Sequence, residues 1–190
     1  AVKNGVQTLL TTLKQDPYAL ETAYVSVITF DSTARQTVPL TDLLNFNLPS
    51  FSASGTTALG EALSLTANRI DAEVQKTTAE TKGDWRPLIF LMTDGGPTDD
   101  WRKGLNEFKA AKKGVVVACA AGHDADTGVL KEITEIVLQL DTADSSSIKA
   151  FFKWVSASVS VGSQKVDAGK KEVIGLDDLP PPPPEVNVVL

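Results

Sequence analysis

Residues 88–99 read LIFLMTDGGPTD. An apolar run of strand length ends in Thr93-Asp94, and the backbone then loosens at Gly95, Gly96 and Pro97. Two readings of that carboxylate stand side by side. Asp-Gly is common turn chemistry, so Asp94 can be mere punctuation. Alternatively, a buried parallel strand delivers Asp94 to the carboxyl edge of a sheet, where open α/β folds bind their ligands.

Strands and helices alternate outward from this stretch. Upstream, 57–74 places Leu59, Ala62, Leu63, Thr66, Ala67, Ile70 and Val74 on one stripe, as an amphipathic helix requires. Downstream, 99–112 reads as a helix with Trp101, Leu105, Phe108 and Ala111 turned inward and Gly114 as its C-terminal cap. The apolar run 115–121 (VVVACAA) is the next strand, followed by a short helix over 126–134, a short strand over 136–140 and a helix over 147–159. Asp144 looks like the cap of that last helix. Toward the amino end, 1–15 has helical spacing and stops at Asp16-Pro17, and 23–30 (AYVSVITF) reads as a buried strand. Residues 34–40, with Pro39, read as an edge strand after a turn at Asp31-Ser32, and 41–54 as polar and irregular. The pattern predicts a doubly wound α/β fold with a mainly parallel sheet and an antiparallel edge strand. The domain is expected over 1–162. Residues 163–190, with prolines from Pro180 to Pro184, are expected to form an extended tail outside the core.

Composition narrows the classes. The 190 residues are 42% hydrophobic and 22% charged, which is globular rather than disordered. The net charge of −6 and the lack of a basic cluster argue against a nucleic-acid partner. No apolar run is long enough to span a membrane, and a cytoplasmic location is expected. Cys119 lies within an apolar strand and reads as a small buried residue. His123, the single histidine, has no nucleophile in motif context, so a contact with a partner suits it better than a catalytic triad. Asp99 and Asp100 are expected to begin a helix and favour its dipole. Trp85 and Trp101 read as core edges.

The order of elements, with GTTALGEAL at 55–63 and then LIFLMTDGGPTDDW at 88–101, resembles the von Willebrand factor A domain. That family carries a metal-ion-dependent adhesion site made of an Asp-x-Ser-x-Ser loop, a Thr loop before the central helix and an Asp in Thr-Asp-Gly. The resemblance implies that Thr57 and Asp94 are metal ligands and that Gly55, Thr56, Gly95, Gly96 and His123 line a partner surface. The ion implied is Mg²⁺, or Mn²⁺ or Ca²⁺, with oxygen ligands, retained waters and an open position for a partner's carboxylate. Taken as a helix N-terminal hydroxyl, Thr57 needs no metal. No Asp-x-Ser-x-Ser occurs; Asp31-Ser32-Thr33-Ala34-Arg35 supplies only a carboxylate and a hydroxyl. With Thr57 and Asp94 alone, weak cation binding or none is expected. In the family that loop follows a central strand and precedes the first helix, so a strand upstream of Ala1 is expected. Filling of the gap by 186–190 or by a partner chain is the alternative.

The function this implies is a divalent-cation-assisted protein–protein interaction module and not an enzyme. The chain resembles the bacterial TerY-like proteins of tellurite-resistance and stress-response loci. That resemblance implies phosphatase-like or kinase-like partners, and the proline-containing tail is a candidate partner-binding arm. The alternatives are a metal-free scaffold and a magnesium-dependent hydrolase. Against the hydrolase, the chain has no Gly-rich phosphate loop and no nucleophile elbow.

Overall fold

A computed structural model describes residues 1–50, 55–111 and 114–189. Its helices are α1 (Val2–Lys14), α2 (Pro17–Thr22), α3 (Leu59–Glu73), α4 (Trp101–Ala111), α5 (Thr127–Ile133) and α6 (Ser145–Asp167). Its strands are β1 (Tyr24–Phe30), β2 (Ala34–Asp42), β3 (Leu88–Thr93), β4 (Val115–Ala121), β5 (Val137–Leu140) and β6 (Val186–Val188). The fold is doubly wound α/β, as the alternation predicts.

β4 sits at the centre of its sheet. It pairs in parallel with β3 on one side and β5 on the other, and all seven of its residues are buried. Its side chains alternate between two cores, as the strand period of two demands. Val115, Val117, Cys119 and Ala121 face the layer holding α1 and α6; Val116, Ala118 and Ala120 face the layer of α3, α4 and α5. Burial pushes the Cys119 thiol up to about 12, so it stays protonated and packs as a small apolar group.

α3 and α4 cross at backbone contact. A Cβ at Gly104 would lie 2.0 Å from the Gly60 carbonyl oxygen, and one at Gly60 would lie 2.6 Å from Trp101 Cα. No side chain fits that crossing. Gly114 also serves close approach, since a Cβ there would meet the Pro87 carbonyl oxygen at 2.0 Å.

Several elements differ from the sequence-based expectation. Asp16-Pro17 starts a helix as well as ending one: Asp16 accepts the N–H groups of Tyr18 and Ala19, with Pro17 at the first helical position. β1 is half-buried rather than buried, and Tyr24 is 62% exposed. Within the stretch expected to be irregular, 51–54 lie outside the described residues, while Leu43 and Phe46 are core residues.

The largest difference lies at the carboxyl end. α6 continues to Asp167, and Val173, Leu179 and Val186 are buried in the same core as α1 and α6. β6 adds antiparallel to β5, with Leu140 opposite Val186. Trp154 Nε1–H donates to the Pro180 carbonyl at 2.8 Å, so the proline run is strapped to its own domain.

Asp178 fastens the segment between α6 and the prolines. Its carboxylate accepts the Ile174 N–H at 3.0 Å and pairs with the Lys165 ammonium at 3.0 Å. The Ile174 hydrogen bond, then the lysine, hold its pKa below the ordinary value of 3.8. A carboxyl lowered by folding stabilises the fold fully above its unfolded value and loses that contribution as pH falls through the folded value. Amide exchange at Val186–Val188 should therefore be constant from pH 7 to 5, once corrected for intrinsic rates, and speed up below 3.8. Asp178→Asn should remove this site's share of the acid response; an unchanged acid response would show that Asp178 does not hold the tail.

Candidate cation and partner site

Three loops meet at the carboxyl edge. The first follows β1. Its Asp31 carbonyl accepts the Ala58 N–H at 2.7 Å, and Ser32 Oγ accepts the Thr56 N–H at 3.3 Å. One oxygen of the Asp31 carboxylate holds its own turn, accepting from Thr33 N–H at 3.2 Å, and Asp31 lines the cleft shared by Thr57 and Asp94.

The second loop, Gly55 to Ala58, enters α3. Gly55 adopts φ +103°, a region closed to most side chains, and a Cβ there would strike Ser32 Oγ at 2.2 Å. Thr57 is held by its backbone on both sides. Its N–H donates to Thr98 Oγ1 at 3.0 Å, and its carbonyl accepts the Thr98 N–H at 2.9 Å.

The third loop follows β3. Thr93, 6% exposed, folds its hydroxyl onto the Gly95 backbone, donating to the carbonyl at 3.2 Å and accepting the N–H at 3.4 Å. This turn leaves Asp94 exposed at the mouth of a cleft that Thr57 also lines. A Cβ at Gly95 would stand 3.5 Å from Thr57 Oγ1, so the two loops are in direct contact. Gly96 lies beside the next loop, where a Cβ would come 3.9 Å from Asp126 Cβ.

Asp99 has a role that sequence reasoning missed. It does not cap its own helix: its two carboxylate oxygens accept the N–H groups of Gly60 and Glu61 at 3.0 and 2.9 Å, capping α3 from the neighbouring loop. This bond ties the Thr57 loop to the Asp94 loop from below. The signal in the sequence was a Thr-Asp pair just after the glycines, with nothing local to reveal its partner 39 residues away.

Among the described residues, neither the Asp94 carboxylate nor the Thr57 hydroxyl is engaged in a hydrogen bond. They contrast with Asp31, Asp99, Asp126 and Asp144, each of which holds a backbone N–H on at least one carboxylate oxygen. The two free oxygen donors are hard ligands of the kind Mg²⁺, Mn²⁺ or Ca²⁺ takes, and they fit part of such a shell. Among the described residues no group of three His, Cys, Asp or Glu side chains could enclose an ion. His123 is exposed on the turn after β4 and does not line the cleft. Thr56 and Gly55 are exposed beside Thr57.

A doubly wound α/β domain with its free oxygens gathered at the carboxyl edge defines the class of protein. Within that class, the sequence matches the von Willebrand factor type A domain over residues 1–154, and the chain belongs to that family. Such domains are known as metal-dependent protein-interaction modules. No curated protein matches the chain.

Solved structures support the fold. Proximal thread matrix protein 1 from the mussel byssus is 16% identical with a TM-score of 0.56, the match covering 82% of this chain and 42% of that one. A second structure of that protein has a zinc-occupied MIDAS motif. The von Willebrand factor type A protein of Catenulispora acidiphila is 17% identical with a TM-score of 0.57, over 83% of this chain and 37% of that one. BatB from Bacteroides thetaiotaomicron is 21% identical with a TM-score of 0.51, over 81% and 84%. The chain thus spans less than half the length of the mussel and Catenulispora proteins. Among the described residues no helix is long and apolar enough to cross a membrane.

Proposed function

We propose that this domain is a non-catalytic module that binds another protein with the help of a divalent cation held by Thr57 and Asp94. The observation that carries the reading is the pair of unengaged oxygens, which line one cleft on loops in contact at Gly95 and Thr57. A hard cation would draw both, keep several waters, and accept a carboxylate from the partner at its open side. Gly95 and Gly96 keep that approach free of side chains, and Thr56 lines it beside Thr57. The TerY-like resemblance supports a place in a bacterial tellurite-resistance or stress-response system, in the cytoplasm, with phosphatase-like or kinase-like partners. The proline run is not needed for this reading, since Trp154 already engages it.

Asp94→Ala tests the proposal. The residue is exposed and makes no hydrogen bond among those described, so thermal stability should stay within about 0.5 kcal/mol of the parent. Capture of partners from a cell extract should require Mg²⁺ or Mn²⁺, fail with a chelator and fail with Asp94→Ala. Capture indifferent to both would sink the cation reading and leave a metal-free scaffold. Turnover on a panel of phosphoesters, lost with Asp94→Ala, would instead make the protein a hydrolase.

A further inference from the structure

The proline run is held at both ends and open along its middle. Leu179, 7% exposed, anchors it before Pro180, and Val186, 5% exposed, anchors it after Glu185. Leu179 is extended, with φ −99° and ψ 160°. Each proline fixes its own φ near about −65° and drives the residue before it into extended backbone. Residues 179–183 each precede a proline, so the run from Pro180 to Pro183 is a polyproline II segment. A turn closes it, where the Val186 N–H donates to the Pro183 carbonyl at 2.9 Å.

Polyproline II repeats every three residues, so positions three apart share an edge. Burial follows that period. Pro180 and Pro183 are half-buried, whereas Pro181 and Pro184 are exposed. The domain itself already reads the inner edge, because the Trp154 indole N–H donates to the Pro180 carbonyl at 2.8 Å. The outer side is unread. Among the described residues, the carbonyls of Pro181 and Pro182 accept no hydrogen bond. Proline has no N–H, so this side offers only rings and acceptors. Its complement is a set of aromatic rings carrying indole or phenol donors, the chemistry that Trp154 supplies from within.

The ends of the run are acidic. Asp177 and Glu185 are exposed and form no ion pair among the described residues, whereas Asp178 is taken by Lys165. Two free carboxylates flanking an uncharged ridge select a partner with cationic side chains at matching ends of its groove.

We propose that the rings of Pro181 and Pro184 and the carbonyls of Pro181 and Pro182 form a fixed ridge that docks in an aromatic-lined groove, rimmed by lysine or arginine, on another protein. The proline count alone suggests a loose arm. The structure makes it a ridge whose shape is set before binding, since Trp154, Leu179 and Val186 have already ordered it. Less ordering entropy is then lost on docking. The ridge shares no residue with the Thr57–Asp94 edge and needs no cation.

Carbon NMR of the 190-residue protein with labelled prolines tests this, the ring carbons serving as the readout. The titrants are purified domains that read polyproline II through an aromatic groove, in two sets with basic and with acidic groove rims. Each is matched by a variant lacking its groove tryptophan, and a chelator is present throughout, so the result is independent of the cation reading. Basic-rim domains should shift the Pro181 and Pro184 rings and bind about tenfold or more tighter than acidic-rim ones, and loss of the groove tryptophan should abolish the shifts. Pro181→Ala combined with Pro184→Ala should weaken binding about tenfold or more with the melting curve unchanged, while Pro183→Ala on the inner edge should leave it within about twofold. Pro181 and Pro184 rings left unmoved by every basic-rim domain would overturn the ridge. Equal losses from the outer-edge and inner-edge variants would overturn it too, as would tighter binding by the acidic-rim set. Ring shifts that grow with the protein's own concentration, with no titrant present, would assign the ridge to a second copy and overturn the separate partner.

Discussion

Gly104→Val lowers the stability of the domain by about 3 kcal/mol or more, the top of the range for overpacked cores. The obstacle is backbone, not a movable side chain. The new Cβ would lie 2.0 Å from the Gly60 carbonyl oxygen and 2.7 Å from Gly60 Cα, so α3 and α4 must move apart as rigid bodies. Their separation would pull Leu105 and Phe108, both nearly inaccessible, away from Leu59 and Leu63. For a domain of this size the loss corresponds to a fall of about 6–12 °C in melting temperature. The damage would reach the functional edge as well. The Asp99 bonds to Gly60 and Glu61 span the same crossing, so Thr57 and Asp94 would lose their fixed relation. Thermal melts of Gly104→Val and Gly104→Ala check this. The alanine variant should be the milder of the two, and a valine variant within 0.5 kcal/mol of the parent would mean that the helices are not held at backbone contact.

That crossing also marks the limit of what the sequence discloses. The strand reading at 115–121 and the end of β3 near Asp94 follow from unbroken apolar runs, and the structure places them there. The order of two motifs pointed to Thr57 and Asp94 sharing one edge, and both line the same cleft. Gly60 and Gly104 were not legible as a pair: a glycine inside a helix reads only as a mild penalty until its neighbour across the crossing is known. The capping of α3 by Asp99 was hidden for the same reason: an acidic residue before a helix reads as favouring that helix's dipole, while its hydrogen-bond partners lie on another helix.

The reach of α6 was hidden by composition. Beyond 159, Ser160, Gly162 and Ser163 weaken the helix signal, yet the helix runs on to Asp167. The tail was hidden because its buried residues, Val173, Leu179 and Val186, follow no period. Irregular chain carries no pattern that announces docking. Its attachment points lie on other elements, and the foremost is Trp154.

Trp154 therefore makes the second large prediction. Its ring, 4% exposed, meets Phe90 edge-on at 6.0 Å and Phe151 at 6.1 Å, while its N–H reaches Pro180. One side chain thus joins β3, α6 and the tail. Trp154→Ala should cost about 3–5 kcal/mol, the usual loss for a large aromatic removed from a core. Trp154→Phe separates the two duties, since it keeps most of the packing and removes only the hydrogen bond, worth about 0.5–1.5 kcal/mol. The phenylalanine variant should melt close to the parent yet show faster amide exchange at Val186–Val188, because the strap that holds the prolines is cut. If exchange in β6 is unchanged in Trp154→Phe while Trp154→Ala unfolds readily, the tail is held by the burial of Leu179 and Val186 and not by the indole. If both variants free β6 equally at small cost in global stability, Trp154 is a tail clasp more than a core residue. The structure favours the division between them: the ring belongs to the core that supports β3 and its Asp94 loop, and the indole N–H belongs to the tail.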